Sequence, residues 1–277
     1  MLNPARFFKQ SRWNSKPKFR VDDGDSGLVE SGGTLLLPMQ REQLIRYLPS
    51  SARVAEIGVA RGHFSAELKA VCKPSFLALV DPWCEQDQTI YYGDSNNARQ
   101  SDQDSRFKDV SRRFASTKTG AECRIVRKFS ADAVKDFEDR SFDWVFIDAN
   151  HSLEACLEDL RLWAPKVKED GLLCGHDFAA HASARAAKYG VVEAVQTFVK
   201  ETGFELAALT VEQFPTYVVA KAAHGETLAR LRRLLFSYER HVIQIRDAAH
   251  AHFEHARILD NGLPRAAFVS FDVPKGR

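Results

Sequence analysis

The sequence of 277 residues lacks several features that mark particular classes of protein. Its five cysteines are dispersed and none forms a CxxC pair, which predicts reduced thiols in a cytoplasmic protein. No apolar run approaches the ~18 residues of a membrane span, and the N-terminus has no apolar core of a secretory signal. The sequence also lacks a large excess of charge of either sign, because it contains 39 Lys and Arg and 37 Asp and Glu. We therefore expect a soluble cytoplasmic protein with no membrane partner and no nucleic-acid partner.

The N-terminal segment is basic and then rich in turn-forming residues. Residues 1–20 hold six Lys or Arg and no acid, and "DDGDSGLVESGGT" (22–34) follows them. Such a composition favours a solvated, partly disordered arm over a functional basic patch. We place this arm at residues 1–39.

From residue 40 to 222, apolar strand patterns alternate with amphipathic helical patterns. The predicted strands are 53–59, 76–81, 122–126, 142–147, 171–175, 205–209 and 216–221. Strands that alternate with helices predict a parallel sheet with right-handed crossovers. The last two strands are joined by a connection too short for a helix, so this pair should be antiparallel. The fold class is therefore α/β, with a doubly wound, mostly parallel seven-stranded sheet, and the polar stretch 84–105 is predicted to be a long loop.

The remaining residues, 223–277, are predicted to form a helical tail. Residues 226–261 contain neither glycine nor proline, and their apolar residues recur at heptad spacing. The seam consists of Leu228, Leu231, Leu235, Tyr238, Val242, Ile245 and Ala249. The pattern predicts one long helix that either packs on its own domain or forms a homodimer with a second copy.

A glycine-containing turn, "EIGVARGHF" (56–64), follows the first predicted strand. A dinucleotide fingerprint would need glycines where Ala60 and His63 stand. Glu56 would repel a pyrophosphate, but it would favour a cation or an ammonium group. Asp81 ends the second strand, where an acid can accept hydrogen bonds from both ribose hydroxyls. The ligand that fits is a positively charged adenosine derivative without phosphate, namely S-adenosylmethionine.

Three motifs together resemble those of class I S-adenosylmethionine-dependent methyltransferases, over about residues 45–222. They are E-x-G-x-A-x-G after strand one, the acid of "LVDPW" after strand two, and "FDWVFIDANH…GHDF". The last resembles small-molecule O-methyltransferases of the catechol and macrolide-sugar types. The resemblance implies a Rossmann-like methyltransferase fold. It also implies these cofactor contacts: Glu56, Gly58 and Gly62 at the methionine, Asp81 at the ribose, Pro82 and Trp83 along the adenosine, and Ser130 and Ala131 near the adenine.

The same resemblance implies a reacting corner where the fourth and fifth strands end. Related enzymes hold a divalent cation with an acid after strand four and a pair of residues after strand five. Here those positions are Asp148 and the pair His176 and Asp177, and the imidazole makes Mn²⁺ or Fe²⁺ as good a candidate as Mg²⁺. His151, three residues after Asp148, is expected to act as the general base. A metal-free site with His176 facing the substrate stays open.

The sequence thus predicts methyl transfer to a hydroxyl of a small polar molecule, a sugar or a secondary metabolite, assisted by Mg²⁺ or Mn²⁺. One alternative is a metal-independent methyltransferase for another acceptor, including a nucleic acid, although no NPPY or DPPY motif follows strand four. A non-catalytic interaction module on the same fold and an aminopropyl transferase are the others. Retention of the acids Glu56, Asp81, Asp148 and Asp177 and of His151 argues against the module.

Overall fold

A computed structural model describes residues 33–87, 96–115, 122–221, 225–238, 241–245 and 248–272 of the chain. Residues 1–32 of the predicted arm lie outside these ranges, and so do residues 88–95 of the predicted loop.

Nine strands form the central sheet. They are β1 (Thr34–Leu37), β2 (Arg53–Ile57), β3 (Phe76–Val80), β4 (Glu122–Val126), β5 (Phe142–Ile147), β6 (Val167–Gly175), β7 (Phe204–Thr210), β8 (Tyr217–Lys221) and β9 (Ile243–Ile245). Their spatial order is β4-β3-β2-β5-β6-β8-β7-β1-β9. Strand β8 is antiparallel to both of its neighbours, β6 and β7. The strands on the other side of it are adjacent in the order β4, β3, β2, β5 and β6, and each pairs in parallel with the next. The mostly parallel α/β sheet with an antiparallel last strand is confirmed.

The sheet is wider than the seven strands predicted, because β1 and β9 extend it beyond β7. Strand β1 is a short apolar segment, TLLL, and all four of its residues are buried. It pairs in parallel with β7, whereas β9 pairs antiparallel with β1. Since β7 runs in the same direction as β6, the carboxyl end of β1 lies at the same edge of the sheet as those of β2, β5 and β6.

Eight α-helices accompany the sheet in the described part of the chain. They are α1 (Arg41–Leu44), α2 (His63–Cys72), α3 (Gln100–Arg113), α4 (Ser130–Ala133), α5 (Leu153–Trp163), α6 (Ala182–Ala186), α7 (Val191–Thr202) and α8 (Glu226–Tyr238). Helices α1, α2, α3 and α8 bury their apolar residues on one face of the sheet, and α4, α5 and α7 on the other. The sheet is therefore covered on both faces, as a doubly wound fold requires.

Strand β5 shows how the sequence produces this layering. Trp144 and Phe146 point into the layer beneath α2, where the rings of Phe146 and Phe64 lie 4.5 Å apart. Val145 and Ile147 point into the opposite layer, beneath α5 and α7. Because both faces are buried, the strand is an almost continuous apolar run, and its first polar group at the carboxyl end is Asp148.

The predicted helix over 226–261 is wrong beyond Tyr238, so the tail at 223–277 is not helical throughout. Leu228, Leu231 and Leu235 are buried against the chain's own sheet, next to β6. Past α8, the short strand β9 hydrogen-bonds to the edge of β1, and sheet pairing overrides helical periodicity there. These three residues of the seam are therefore part of this domain's core. The loop predicted at 84–105 is also shorter than expected, because α3 begins at Gln100.

The C-terminal residues form a β-hairpin, β10 (His252–Asp260) and β11 (Leu263–Asp272). Its turn is Asn261–Gly262, and both residues have positive φ, 50° and 78°, as a type I′ hairpin turn needs. Phe253 of β10 packs on Phe178 with ring centroids 4.8 Å apart. Among the described residues, no helix is long and apolar enough to cross a bilayer.

Candidate active site

The turn after β2 passes unusually close to the end of β5. Gly58 has a φ of +90°, and a Cβ there would lie 2.0 Å from the carbonyl oxygen of Asp148, so no other residue fits. The Asp148 N–H donates to the Ile57 carbonyl at 2.7 Å. The two strand ends are therefore joined where ligands bind in this class of sheet.

Gly62, the second glycine of the motif, does not line the cavity itself. It is the N-cap of α2 with a φ of +68°, and a Cβ there would lie 3.1 Å from side-chain atoms of Phe114 and Val110. It is absent from the described lining of the cavity beside the turn. The glycine permits the turn and the packing of α3, and residues of this turn line the cavity.

A cavity of about 470 Å³ runs along the carboxyl ends of β2, β3, β4 and β5. Most of the cofactor residues predicted from the sequence line it. They are Glu56, Gly58, Asp81, Pro82, Ser130 and Ala131, together with Asp148 and His151 from the reacting corner. Residues that were not predicted line it as well, among them Arg41, Arg106, Phe129 and Asp159.

Asp81 holds the glycine turn in place. Its Oδ2 accepts the backbone N–H groups of Val59 and Ala60 at 3.0 and 2.9 Å, and its Oδ1 accepts that of Trp83 at 2.7 Å. Since a carboxylate offers about four acceptor positions, one remains for a ribose hydroxyl rather than two. Burial raises the pKa of Asp81, and the three backbone hydrogen bonds oppose that shift.

Trp83 does not wall the adenosine, contrary to the expectation. Its side chain is fully buried, its indole N–H donates to the Ala60 carbonyl at 2.9 Å, and its ring packs on Phe107. It therefore supports the glycine turn from behind. Although Trp83 lies only two residues after Asp81, it packs into the core because α3 covers it.

Glu56 is the clearest sign of a charged ligand. The residue is 2% exposed and its Oε2 has no hydrogen-bond partner among the described residues, yet it lines the cavity. Burial, followed by the nearby negative charge of Asp148, raises its pKa to about 8. Ser65 is a hydrogen-bond partner of this carboxyl group and opposes the shift, but a buried carboxylate oxygen without a partner is costly, and an ammonium group in the cavity would remove that cost. The cavity thus fits the methionine end of S-adenosylmethionine.

The reacting corner brings together two acids and a histidine, as the sequence predicted. The Nε2 atom of His151 lies 3.0 Å from Oδ2 of Asp177 and 3.4 Å from Oδ1 of Asp148. Burial would lower the pKa of His151, but the two carboxylates outweigh it and raise the pKa to about 10. The same contacts hold the pKa of Asp177 well below its usual range, although its burial acts in the opposite direction.

His176 lies on the far side of Asp177. Its Nδ1 is 3.1 Å from the same Oδ2 atom that contacts His151. The three residues whose ligand atoms all lie within 4.8 Å of one another are Asp148, His151 and Asp177. The donor set that fits a cation therefore contains His151 in place of the predicted His176, which instead fixes the orientation of Asp177.

Arg41 is the functional candidate that the sequence reasoning missed. Its Nη1 donates to Oδ2 of Asp148 at 2.9 Å and its Nε donates to Glu42 at 3.1 Å. The guanidinium carbon lies 4.6 Å from the centre of the Phe64 ring. The signal that would have found it is the apolar run TLLL between Gly33 and Pro38, because a strand there places the following residues at the ligand-binding edge.

Comparison with known proteins shows what the central part of the chain is similar to. Residues 55–178 match the model of a family described as a methyltransferase domain. They contain the glycine turn, the acid after β3, and the corner at the ends of β5 and β6. Over these residues the chain is similar to a methyltransferase domain. No sequence among the curated proteins matches the chain.

Several solved structures have a fold similar to that of this protein. The N-methyltransferase NodS from Bradyrhizobium japonicum is 14% identical over 65% of this chain and 93% of its own, with a TM-score of 0.45. The ribosomal protein L11 methylase from Lactobacillus delbrueckii is 11% identical over 65% and 76%, with a TM-score of 0.41. The methyltransferase CalH, in complex with SAH, is 17% identical over 66% and 54%, with a TM-score of 0.42. Similarity at this level indicates no particular acceptor.

Proposed function

We propose that this protein transfers the methyl group of S-adenosylmethionine to a hydroxyl of a small polar molecule, such as a sugar or a secondary metabolite. The observation that carries the proposal is the position of His151 between the carboxylates of Asp148 and Asp177. Asp148 and His151 line the same cavity as Glu56, where the reactive end of the cofactor fits.

S-adenosylmethionine supplies an electrophilic methyl group on a sulfonium, so what the protein has to provide is a nucleophilic oxygen. A hydroxyl becomes nucleophilic when a positioned base removes its proton in the transition state. Asp177 accepts the Nε2–H of His151, which leaves Nδ1 as the ring nitrogen that takes the proton. Both carboxylate contacts of the ring are at Nε2, and neither uses Nδ1.

The two acids have separate tasks in this proposal. Asp177 fixes the tautomer and the orientation of the imidazole, and it adopts a φ of 61°, a conformation that costs energy for a residue other than glycine. Asp148 offers Oδ1 to the charged imidazole and is itself neutralised by Arg41 at Oδ2. Both carboxylates stabilise the imidazolium that forms when the hydroxyl loses its proton.

A divalent cation is a second arrangement of the same site, and the ligand atoms of Asp148, His151 and Asp177 support it. Such a cation would lower the pKa of the acceptor hydroxyl and orient its oxygen. Two carboxylates and an imidazole suit Mn²⁺ and Fe²⁺ as well as Mg²⁺. The cation would take Nε2 of His151, so His151 cannot hold it and act as the Asp177-oriented base at once. The two arrangements exclude each other.

The test uses radiolabelled S-adenosylmethionine with a panel of small hydroxyl compounds, each paired with its amine analogue. We expect label to enter hydroxyl compounds, and His151→Ala to lower the rate by about 10² to 10⁴. His252→Ala, which alters an exposed histidine on β10, is the matched control. Label that enters only amines, or only nucleic acid, would contradict the proposal. If S-adenosylhomocysteine did not bind the wild-type protein, the proposal that this protein transfers methyl groups would be wrong altogether.

A further inference from the structure

Arg41 carries a positive charge into the cofactor cavity from outside the segment that matches the methyltransferase family, residues 55–178. It follows β1 by four residues, and β1 runs parallel to the strands whose carboxyl ends form the cavity. Leu44 and Ile45, just after it, are buried in the core and anchor α1 at that edge. The position of the guanidinium is thus determined by the extra strand of the sheet.

The guanidinium is held in a fixed orientation. One face packs on the Phe64 ring, and its two described ion pairs are with Glu42 and Asp148. A guanidinium carries more N–H donors than these two contacts use, and its planar fork matches a carboxylate. Its side chain is 24% exposed, and it borders the cavity. It is therefore built to receive one more anionic group from the cavity side.

The charges around Arg41 indicate which anion that is. Glu56, a buried carboxyl group with no partner for Oε2, lines the same end of the cavity, and the charge of Arg41 acts on it. An α-amino acid presents an ammonium and a carboxylate on the same carbon. A site for it needs an acid and a cation on adjacent walls, which Glu56 and Arg41 provide.

We propose, on the basis of the function proposed above, that Arg41 binds the carboxylate of the methionine moiety of the cofactor while Glu56 binds its ammonium group. An anionic group on the acceptor presents the same chemistry to Arg41 as the carboxylate of the cofactor does. The proximity of Glu56 favours the cofactor. In this role the N-terminal strand and helix complete the cofactor site that the family-matched segment leaves open.

The test compares two ligands in two proteins by calorimetry. S-adenosylhomocysteine carries both groups, and its decarboxylated form keeps the amine but lacks the carboxylate. We expect Arg41→Gln to weaken the binding of S-adenosylhomocysteine at least tenfold, as for a lost hydrogen bond between charged groups. The affinity for the decarboxylated ligand should change little. Arg46→Gln, on an exposed arginine of the same segment, should leave both affinities as they are.

The pair of ligands keeps the outcome clear even if the substitution disturbs the fold, because misfolding would weaken both alike. An equal loss for both ligands would overturn the proposal, and so would unchanged binding of S-adenosylhomocysteine, which would leave the guanidinium for an acidic acceptor. A wild-type protein that binds neither ligand would instead contradict the proposed function.

Discussion

One imidazole, that of His151, is shared by two carboxylates, with Nε2 3.0 Å from Asp177 and 3.4 Å from Asp148. Burial alone would lower the pKa of the ring, but the carboxylates raise it to about 10. At neutral pH the ring therefore carries a proton, and it becomes a base only as the pH approaches that value. A base with the ordinary imidazole pKa, which the sequence suggested, is not what this geometry provides.

The first prediction follows for the cation-free enzyme. The methyl-transfer rate should rise with pH up to about 10, because only the neutral form of His151 accepts a proton. Asp177→Asn should shift this rise to lower pH, since one of the charges that hold the proton is gone. The measurement is kcat/KM as a function of pH, with Asp139→Asn as a control at a mostly exposed carboxylate. A variant at Asp177 with the wild-type profile would show that another group titrates.

The second prediction concerns which residues hold a cation, if the site takes one. His151→Ala should weaken Mn²⁺ binding strongly, whereas His176→Ala should weaken it much less, because His176 lies outside the group of three ligand atoms. Mn²⁺ titrations followed by electron paramagnetic resonance measure both affinities. Activity after exhaustive chelation decides whether the cation matters: full activity would leave His151 as the metal-free base. Equal losses at the two histidines would contradict the ligand set given by the structure.

The third prediction concerns Asp81, which supports the glycine turn as well as facing the cofactor. Asp81→Asn places an amide group against the N–H groups of Val59 and Ala60, so both the turn and the binding of S-adenosylhomocysteine should suffer. We expect a loss of affinity of about tenfold or more and a lower melting temperature without ligand. Calorimetry and thermal unfolding measure the two effects. A variant with weaker binding but an unchanged melting temperature would mean that Asp81 acts on the ribose alone.

The parallel sheet was predictable because its signals are local. Each strand of the central seven is a short apolar run bounded by turn residues, and the acids at the strand ends lie where such sheets place ligands. Glu56 and Asp81 could thus be placed along one cavity from their positions near strand ends, and Asp148 could be added to them with the help of the family resemblance. The packing that buries Trp83 behind the turn depends on α3, whose start lay in a stretch without clear periodicity.

The C-terminal region shows the limit of periodicity. Leu228, Leu231 and Leu235 fit a heptad seam equally well whether a partner chain or the chain's own sheet covers them. The open edge of β1 was not visible in the sequence pattern, so the pairing of β9 could not be foreseen. Asn261–Gly262, a strong hairpin signal, stood at the end of the predicted helix and marks the turn that the structure contains.

The fourth prediction separates a packed helix from a dimer contact. Leu235 is fully buried, so Leu235→Lys should destabilise the fold by about 3 kcal/mol or more, since it removes apolar packing and buries a charge. Phe236→Lys, at the next position on α8 where the side chain is 38% exposed, should change the stability far less. Urea unfolding measures both. If the Leu235→Lys protein had wild-type stability but a lower mass in light scattering, the result would support the hypothesis that this helix forms a dimer contact.

The last prediction uses the buried carboxyl group of Glu56, whose Oε2 has no hydrogen-bond partner among the described residues. Its pKa is raised from 4.5 to about 8 in the folded protein, so the unfolded chain loses this proton at lower pH than the folded one does. The stability of the ligand-free protein should therefore fall as the pH rises from about 4.5 to about 8, by roughly 1.4 kcal/mol for each unit at most. Glu56→Gln removes the ionisation, so its stability relative to wild type should increase over that window. Glu67→Gln, at an exposed position on α2, should show no such trend.

Ligand binding should reverse the shift at Glu56, because an ammonium group beside the carboxylate favours its charged form. Binding of S-adenosylhomocysteine near pH 7 should then release a proton from the wild-type protein and none from Glu56→Gln. Calorimetry in two buffers with different ionisation enthalpies counts the protons exchanged. Equal proton release from both proteins would mean that the ammonium group lies elsewhere, and that the buried acid has a purely structural role.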